Sequence, residues 1–219
     1  MAGHDLTLDL TKVADSGTDY SAYGIKANNK TTIVVDSNKT NPGKNGTITI
    51  KAKTLWSPSG DSGSKYTAAH GIAVGNFSQR FNKKVSEDLV KTTINADVVI
   101  EELRGGSIKT TGISSMDCSD LAINGRFTIK PGAISLMQWN RGDQSKTYGI
   151  YMIGSNNTIS ITSADIDDSK NGSLSDLIKT DESLWGGKTE KNVLRIGGGT
   201  LKVKENQKER YLISAAKGF

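Results

Sequence analysis

Apolar side chains recur at every second position of this chain, in very short runs. The runs are Leu6-Leu8-Leu10, Ile33-Val35, Ile48-Ile50-Ala52, Ile72-Val74, Ile94-Ala96-Val98-Ile100, Leu121-Ile123, Phe127-Ile129, Ile134-Leu136, Ile150-Met152, Ile159-Ile161, Leu194-Ile196 and Leu201-Val203. Thr, Lys, Asn, Asp and Ser fill the positions between. At a period of two, successive side chains point to opposite faces of a strand. Each run therefore predicts a short strand with one apolar and one polar face. Asn28-Asn29, Asn45-Gly46, Asn124-Gly125, Pro131-Gly132, Ser155-Asn156-Asn157 and Gly197-Gly198-Gly199 separate the runs, and these are turn-forming residues.

A loose repeat underlies the runs. Tyr23-Gly24-Ile25 leads to Thr32-Ile33, and His70-Gly71-Ile72 leads, after an insertion, to Thr93-Ile94. Tyr148-Gly149-Ile150 leads to Thr158-Ile159, and Val193-Leu194-Arg195-Ile196 to Thr200-Leu201. A small sandwich would more often place five or six residues between turns. Shorter runs with Gly and Asn corners predict an all-β chain folded as a right-handed parallel β-helix. Such a solenoid would have about eight to ten coils of roughly 20 to 25 residues, each burying its apolar residues only by stacking on the next.

Three stretches break the pattern of this single segment, 1–219. Residues 56–69 read as a polar loop. In 78–92, Phe81, Val85 and Leu89 stand four apart and predict a short amphipathic helix. Within 165–190, Leu174, Leu177, Ile178 and Leu184 predict a second helix over 173–185. Insertions on a regular rod are where binding concentrates.

Composition narrows the class. Hydrophobic residues are 35% of the chain, and no run approaches the 18 or so apolar residues that span a bilayer as a helix. The single cysteine, Cys118, excludes a disulfide scaffold and reads as a small buried residue. Two histidines, His4 and His70, leave little for a histidine metal site or triad, and no GxSxG occurs. The net charge of +5 gathers between Lys188 and Lys217, where Lys188, Lys191, Arg195, Lys202, Lys204, Lys208, Arg210 and Lys217 face only Glu190, Glu205 and Glu209. Lysines alternating with apolar residues at 201–204 are the solvated side of a strand, and without interleaved aromatics they predict no nucleic-acid partner. Residues 1–5 carry no signal-peptide pattern. The strand pattern reaches both ends, which reads as an excerpt of a larger chain.

Segments such as Gly46-Thr-Ile-Thr-Ile-Lys-Ala-Lys53 and Gly199-Thr-Leu-Lys-Val-Lys204, in a cysteine-poor chain without enzyme motifs, resemble the passenger region of bacterial autotransporter adhesins. The resemblance covers most of the chain and is one of style. It implies a protein displayed at the cell surface, held on the outer membrane by a C-terminal barrel absent from this sequence. The implied partners are glycans or proteins of host or neighbouring cells, with self-association of copies an open alternative. No cofactor and no metal are implied. Cys118 and the three insertions depart from the plain pattern.

Other candidates have bland counterparts. Asp167, Ser169 and Asn171 followed by Gly172 fit the first half of a calcium loop, but Ile178 stands where its bidentate Glu is needed, so a polar turn is expected. Arg141-Gly142-Asp143 spells the integrin tripeptide, in a stretch where a Gly- and Asp-bearing turn is expected anyway. Glu101 with Glu102, Asp117 with Asp120, and Asp165 with Asp167 are the acidic clusters that a polysaccharide lyase or hydrolase would need to converge; on an outer face they are solvated. Trp56, Trp139 and Trp185 fall in or near loops, as candidate binding residues or as caps on the core. Six Asn-X-Ser/Thr sequons, at Asn29, Asn38, Asn45, Asn76, Asn156 and Asn171, follow from composition. The expected function is non-covalent adhesion rather than catalysis. The alternatives are a β-helix polysaccharide-processing enzyme and a stalk without ligand.

Overall fold

Strands with one apolar face must share an interior, and here they do so in two parallel sheets. The structure, a computed structural model, describes residues 5–11, 21–35, 45–53, 68–75, 89–105, 109–136, 146–169, 174–181, 191–204 and 211–214. The first strands are β1 (Leu6–Leu10), β2 (Ala22–Ala27), β3 (Thr31–Val34), β4 (Thr47–Lys53) and β5 (Ala69–Gly75). Next come β6 (Val90–Asn95), β7 (Asp97–Gly105), β8 (Lys109–Met116), β9 (Ser119–Ile129), β10 (Ile134–Leu136) and β11 (Lys146–Ile153). Then follow β12 (Thr158–Asp167), β13 (Asp176–Asp181), β14 (Val193–Ile196), β15 (Gly199–Lys202) and β16 (Tyr211–Ser214). No helix occurs among the described residues.

The ten-stranded sheet runs β1-β4-β7-β9-β12-β14, with β3, β6, β10 and β15 joined beside that path. The six-stranded sheet runs β16-β13-β11-β8-β5-β2. Each return of the chain to the smaller sheet lays a strand parallel beside the previous one, so Ile25, Ile72, Ile113, Ile150, Ile178 and Ile213 form one column. The larger sheet answers with Leu8, Ile50, Ile100, Ile129, Ile166 and Leu201, and with Ile33, Ile94, Ile123, Ile161 and Ile196. The middle members of all three columns are fully buried or nearly so. Each such side chain contributes about 1.5–3 kcal/mol before conformational entropy is subtracted.

The repeated Gly-Ile step has a steric cause. A Cβ on Gly112 would lie 2.6 Å from the Gly149 carbonyl oxygen and 2.7 Å from Ile129 Cδ1, so the backbone there turns inward against its neighbours. Where the smaller sheet hands over to the larger, the corner is polar and buried. Asn157 Nδ2 donates to the Ile153 carbonyl at 2.8 Å, and Asn192 Nδ2 to the Gly154 carbonyl at 2.7 Å. The Ser119 hydroxyl donates to Asn157 Oδ1 at 2.8 Å and also meets Ser115 Oγ. Satisfied networks of this kind fix one arrangement of the corner.

Several expectations change. The helix over 173–185 is overturned where the structure describes it, because Asp176–Asp181 is a strand. The insertion set at 165–190 shrinks accordingly, since 165–167 also close β12. Residues 90–92 of the helix predicted over 78–92 belong to β6, while 78–88 lie outside the described residues. Ala69, expected in a loop, opens β5. Among the described residues the smaller sheet has six strands, against the eight to ten coils expected, because the segments between strands are longer than the sequence suggested. The repeat unit at 193–196 sits in the larger sheet on β12; the true continuation of the Tyr-Gly-Ile column is Asp176-Leu177-Ile178.

Candidate binding face

The outer faces of the two sheets differ in what they offer a partner. At the centre of the smaller sheet the outer residues are covered: Ala73 and Ser114 are 0% exposed and Tyr151 is 1% exposed. That layer is built from rings and charges. Tyr23 stacks on His70 at 5.3 Å, with Lys26 Nζ 4.7 Å from the Tyr23 ring centre. His70 Nδ1 lies 2.7 Å from Thr111 Oγ1, and Tyr148 stacks on Tyr151 at 4.8 Å. Lys109 Nζ lies 4.6 Å from the centre of the Tyr151 ring, donates to its hydroxyl oxygen, and pairs with Asp181 at 3.5 Å. The Tyr151 hydroxyl in turn donates to Asp181 Oδ2 at 3.1 Å.

Burial pushes the Tyr148 and Tyr151 phenols well above the usual tyrosine value, and the carboxylates of Asp176 and Asp181 add to the effect. Burial also pulls the Lys109 ammonium down, against Asp181, which favours its charge. Lys109, Tyr151 and Asp181 each contact the other two, so they read as a clamp across β8, β11 and β13.

The larger sheet is open. Its outward positions are half-buried or exposed on every strand, and most of them carry small polar groups in columns. One column is Thr7, Thr49, Val99, Thr128, Asp165 and Thr200; another is Thr32, Thr93, Ala122, Ser160 and Arg195. Asn124 Nδ2 donates to Asn95 Oδ1 at 2.7 Å beside them. Ion pairs cross the strands, Glu101 with Lys130 at 3.3 Å and Lys51 at 3.7 Å and Asp165 with Arg126 at 3.5 Å, while Glu102 pairs with Arg104 at 2.6 Å along β7 itself. Parallel strands lie about 4.8 Å apart, so the face offers hydroxyls, amides and charges on a regular pitch. It is suited to a flat or extended polar ligand.

The acidic clusters named from sequence are occupied by structural work. Asp165 Oδ1 accepts from the Thr200 N–H at 3.0 Å, and Asp117 Oδ1 from the Ser155 N–H at 3.0 Å. Asp120 stands in β9 opposite Lys91 and Thr158. Cys118 is half-buried at a turn with φ 54°, its N–H bonded to the Ser155 carbonyl. In the loop read as half a calcium site, Asp167 Oδ1 accepts from both the N–H and the hydroxyl of Ser169, and Asp168 Oδ2 accepts from the Leu174 N–H. Asn171 and Gly172, in the rest of that loop, lie outside the described residues. A hollow of about 410 Å³ near the end of β15 is lined, among the described residues, by Ser169, Lys202, Val203 and Lys204, which supply a hydroxyl and two ammonium groups.

Trp56, Trp139, Trp185, Arg141-Gly142-Asp143 and His4 also lie outside the described residues. The exposed Lys191, Arg195, Lys202 and Lys204 are the described part of the basic strip. Sequence reading missed the Lys109–Tyr151–Asp181 clamp and the columns of the open face, because both depend on which strands lie side by side. The Tyr23, His70 and Tyr148 positions of the Gly-Ile repeat were the available signal. Comparison of the chain with protein-family models, with curated proteins and with solved structures finds no match.

Proposed function

We propose that this chain is a right-handed parallel β-helix segment of a surface-displayed bacterial adhesin, which binds glycans or proteins of host or neighbouring cells without covalent chemistry. The right hand is the sense that crossover connections between parallel strands almost always take. The observation that carries the reading is the open outer face of the larger sheet. Its Thr, Ser and Asn columns and its crossed ion pairs form a flat polar surface, while the matching face of the smaller sheet is covered at its centre. Display on the outer membrane through a separate barrel belongs to the same proposal.

The test is attachment of bead-coupled protein to epithelial and bacterial cells, with soluble protein as competitor. Saturable, competed attachment is expected. Arg126→Glu and Thr128→Lys, in the middle of the open face, should weaken it about tenfold or more without loss of folding. Unimpaired attachment by both variants would move the site to the insertions. A folded sample that attaches to nothing would leave a stalk, or an enzyme if acidic glycans are depolymerised.

A further inference from the structure

Where β4, β7, β9 and β12 lie side by side in the larger sheet, each carries charge mainly of one sign, and the sign alternates from strand to strand. Lys51 and Lys53 make β4 basic. Asp97, Glu101 and Glu102 make β7 acidic, with Arg104 near its end. Arg126, with Lys130 just after the strand, makes β9 basic, and Asp165 with Asp167 makes β12 acidic. All of these residues are half-buried or exposed. Opposite charges across neighbouring strands stabilise the sheet itself. The same alternation makes the face complementary to its own copy.

A two-fold axis lying in this face, parallel to the strands and midway between β7 and β9, reverses the order of the strands and keeps each position along them. It sets β7 of one copy over β9 of the other, and β4 over β12. Val99 and Thr128 are in register, so they meet at the centre, small and uncharged. Two residues to either side, Asp97 then meets Arg126 and Glu101 meets Lys130. Thr49, Val99, Thr128 and Asp165 form one column, so Thr49 meets Asp165 and, two residues on, Lys51 meets Asp167. Every charged position in these rows meets the opposite sign, and the symmetry makes each contact twice. An axis along the stack would set each strand over its own copy, with like charge over like. The match uses only strands inside the stack, so it does not depend on what lies before β4 or after β12.

We propose that two copies of this chain associate antiparallel through this face, β7 and β9 of each lying over β9 and β7 of the other. The inference rests on the reading of the open face as the binding face and names a second copy as its partner. The Arg126 and Lys130 side chains that cross the contact are 62% and 50% exposed, free to reach over. Complementary charge of this kind fixes orientation and register more than it adds affinity, so a weak, salt-sensitive dimer is expected.

Sedimentation velocity of the whole chain over a range of concentrations tests this. Dimers should form as concentration rises, and association should weaken as salt is raised from about 0.05 to 0.5 M, because screening shortens the reach of exposed charges. Lys130→Glu and Glu101→Lys should each weaken dimerisation about tenfold, since either reversal sets like charge on like at two symmetric places. An equimolar mixture of the two variants should recover it, because in the mixed dimer both places again join an acid to a base. Thr128→Lys, which crowds the centre and reverses no charge, should also weaken it and serves if a reversal disturbs the circular dichroism. A chain that stays monomeric at every concentration and salt overturns the proposal, as do variants that dimerise like the parent or a folded mixture that fails to recover. A monomer whose attachment to cells still depends on Arg126 and Thr128 overturns this proposal and leaves adhesion standing; a dimer that behaves as described but attaches to no cell supports it and removes adhesion.

Discussion

Ile113 lies in the middle of the isoleucine column of the smaller sheet and is 0% exposed, whereas Ile213 at its end is 57% exposed. Replacing Ile113 by Ala removes three carbons, about 2.4 kcal/mol of transfer free energy at roughly 0.8 kcal/mol per carbon. Ile72 and Ile150 on either side are fixed by their ladders, so the gap stays open and a cavity cost is added. The total is about 3–4 kcal/mol, within the roughly 2–5 kcal/mol seen for such truncations. At Ile213 less than half of the side chain leaves water and no enclosed cavity forms, so Ile213→Ala should cost about 1 kcal/mol or less. With a urea slope of about 2–3 kcal/mol/M, the midpoint falls by about 1–2 M for Ile113→Ala and by under about 0.5 M for Ile213→Ala. Circular dichroism and fluorescence should be followed together, since stacked arrays can depart from two-state unfolding. Equal shifts for the two variants would refute the reasoning, because they would mean that position in the column does not govern burial.

Gly112→Val should destabilise by about 2–3 kcal/mol or more, since its Cβ meets a carbonyl oxygen at 2.6 Å that has nowhere to go. Gly198→Ala, with nothing within 4 Å, should change the urea midpoint by less than the equivalent of about 0.5 kcal/mol. Stability should also fall in alkali. Tyr148 and Tyr151 hold their protons in the folded state where the unfolded chain releases them, so their contribution is complete below about pH 10 and is lost above it. Lys109, lowered by burial, acts in the opposite sense as pH rises toward its ordinary value, but one ammonium stands against two phenols. An absorbance titration should show these two tyrosines ionising only as the fold is lost; ordinary titration of all tyrosines in folded protein would contradict this.

Every period-two run meets a strand, with only Val35, Ala96 and Val203 just outside one and the Ile94–Ile100 run split between β6 and β7, because a strand with one buried face writes that face directly into the sequence. Two strands were hidden, each for a definite reason. Across Lys109–Met116 only Ile113 and Met116 are large and apolar; Thr110, Thr111, Ser114 and Ser115 are buried without the apolar residues that mark a core. In β13, Leu177 occupies the place of Gly149, so Leu177 and Ile178 are consecutive and both in the core. With the buried Leu174 they mimic the three- and four-residue spacing of a helix. The ion pairs of the open face were illegible for another reason. Lys51 and Lys130, which both pair with Glu101, stand 50 and 29 residues from it in the chain, and only the packing of strands side by side brings them together.

Every described strand finds its partners on neighbouring levels, always in parallel, and the nearest successive members of the isoleucine column, Ile150 and Ile178, are still 28 residues apart in the chain. No level can therefore form by itself, and no hairpin occurs among the described residues to start the process. Two levels must first meet across long loops, at a large entropic cost, before any ladder bond rewards them. Thereafter each new level docks on a finished edge, so growth outruns initiation. The reverse path is equally directional: an interior strand cannot leave until an outer one has peeled away. Such a molecule erodes from its extremities, and the lifetime of its middle is set by how long its first and last strands hold.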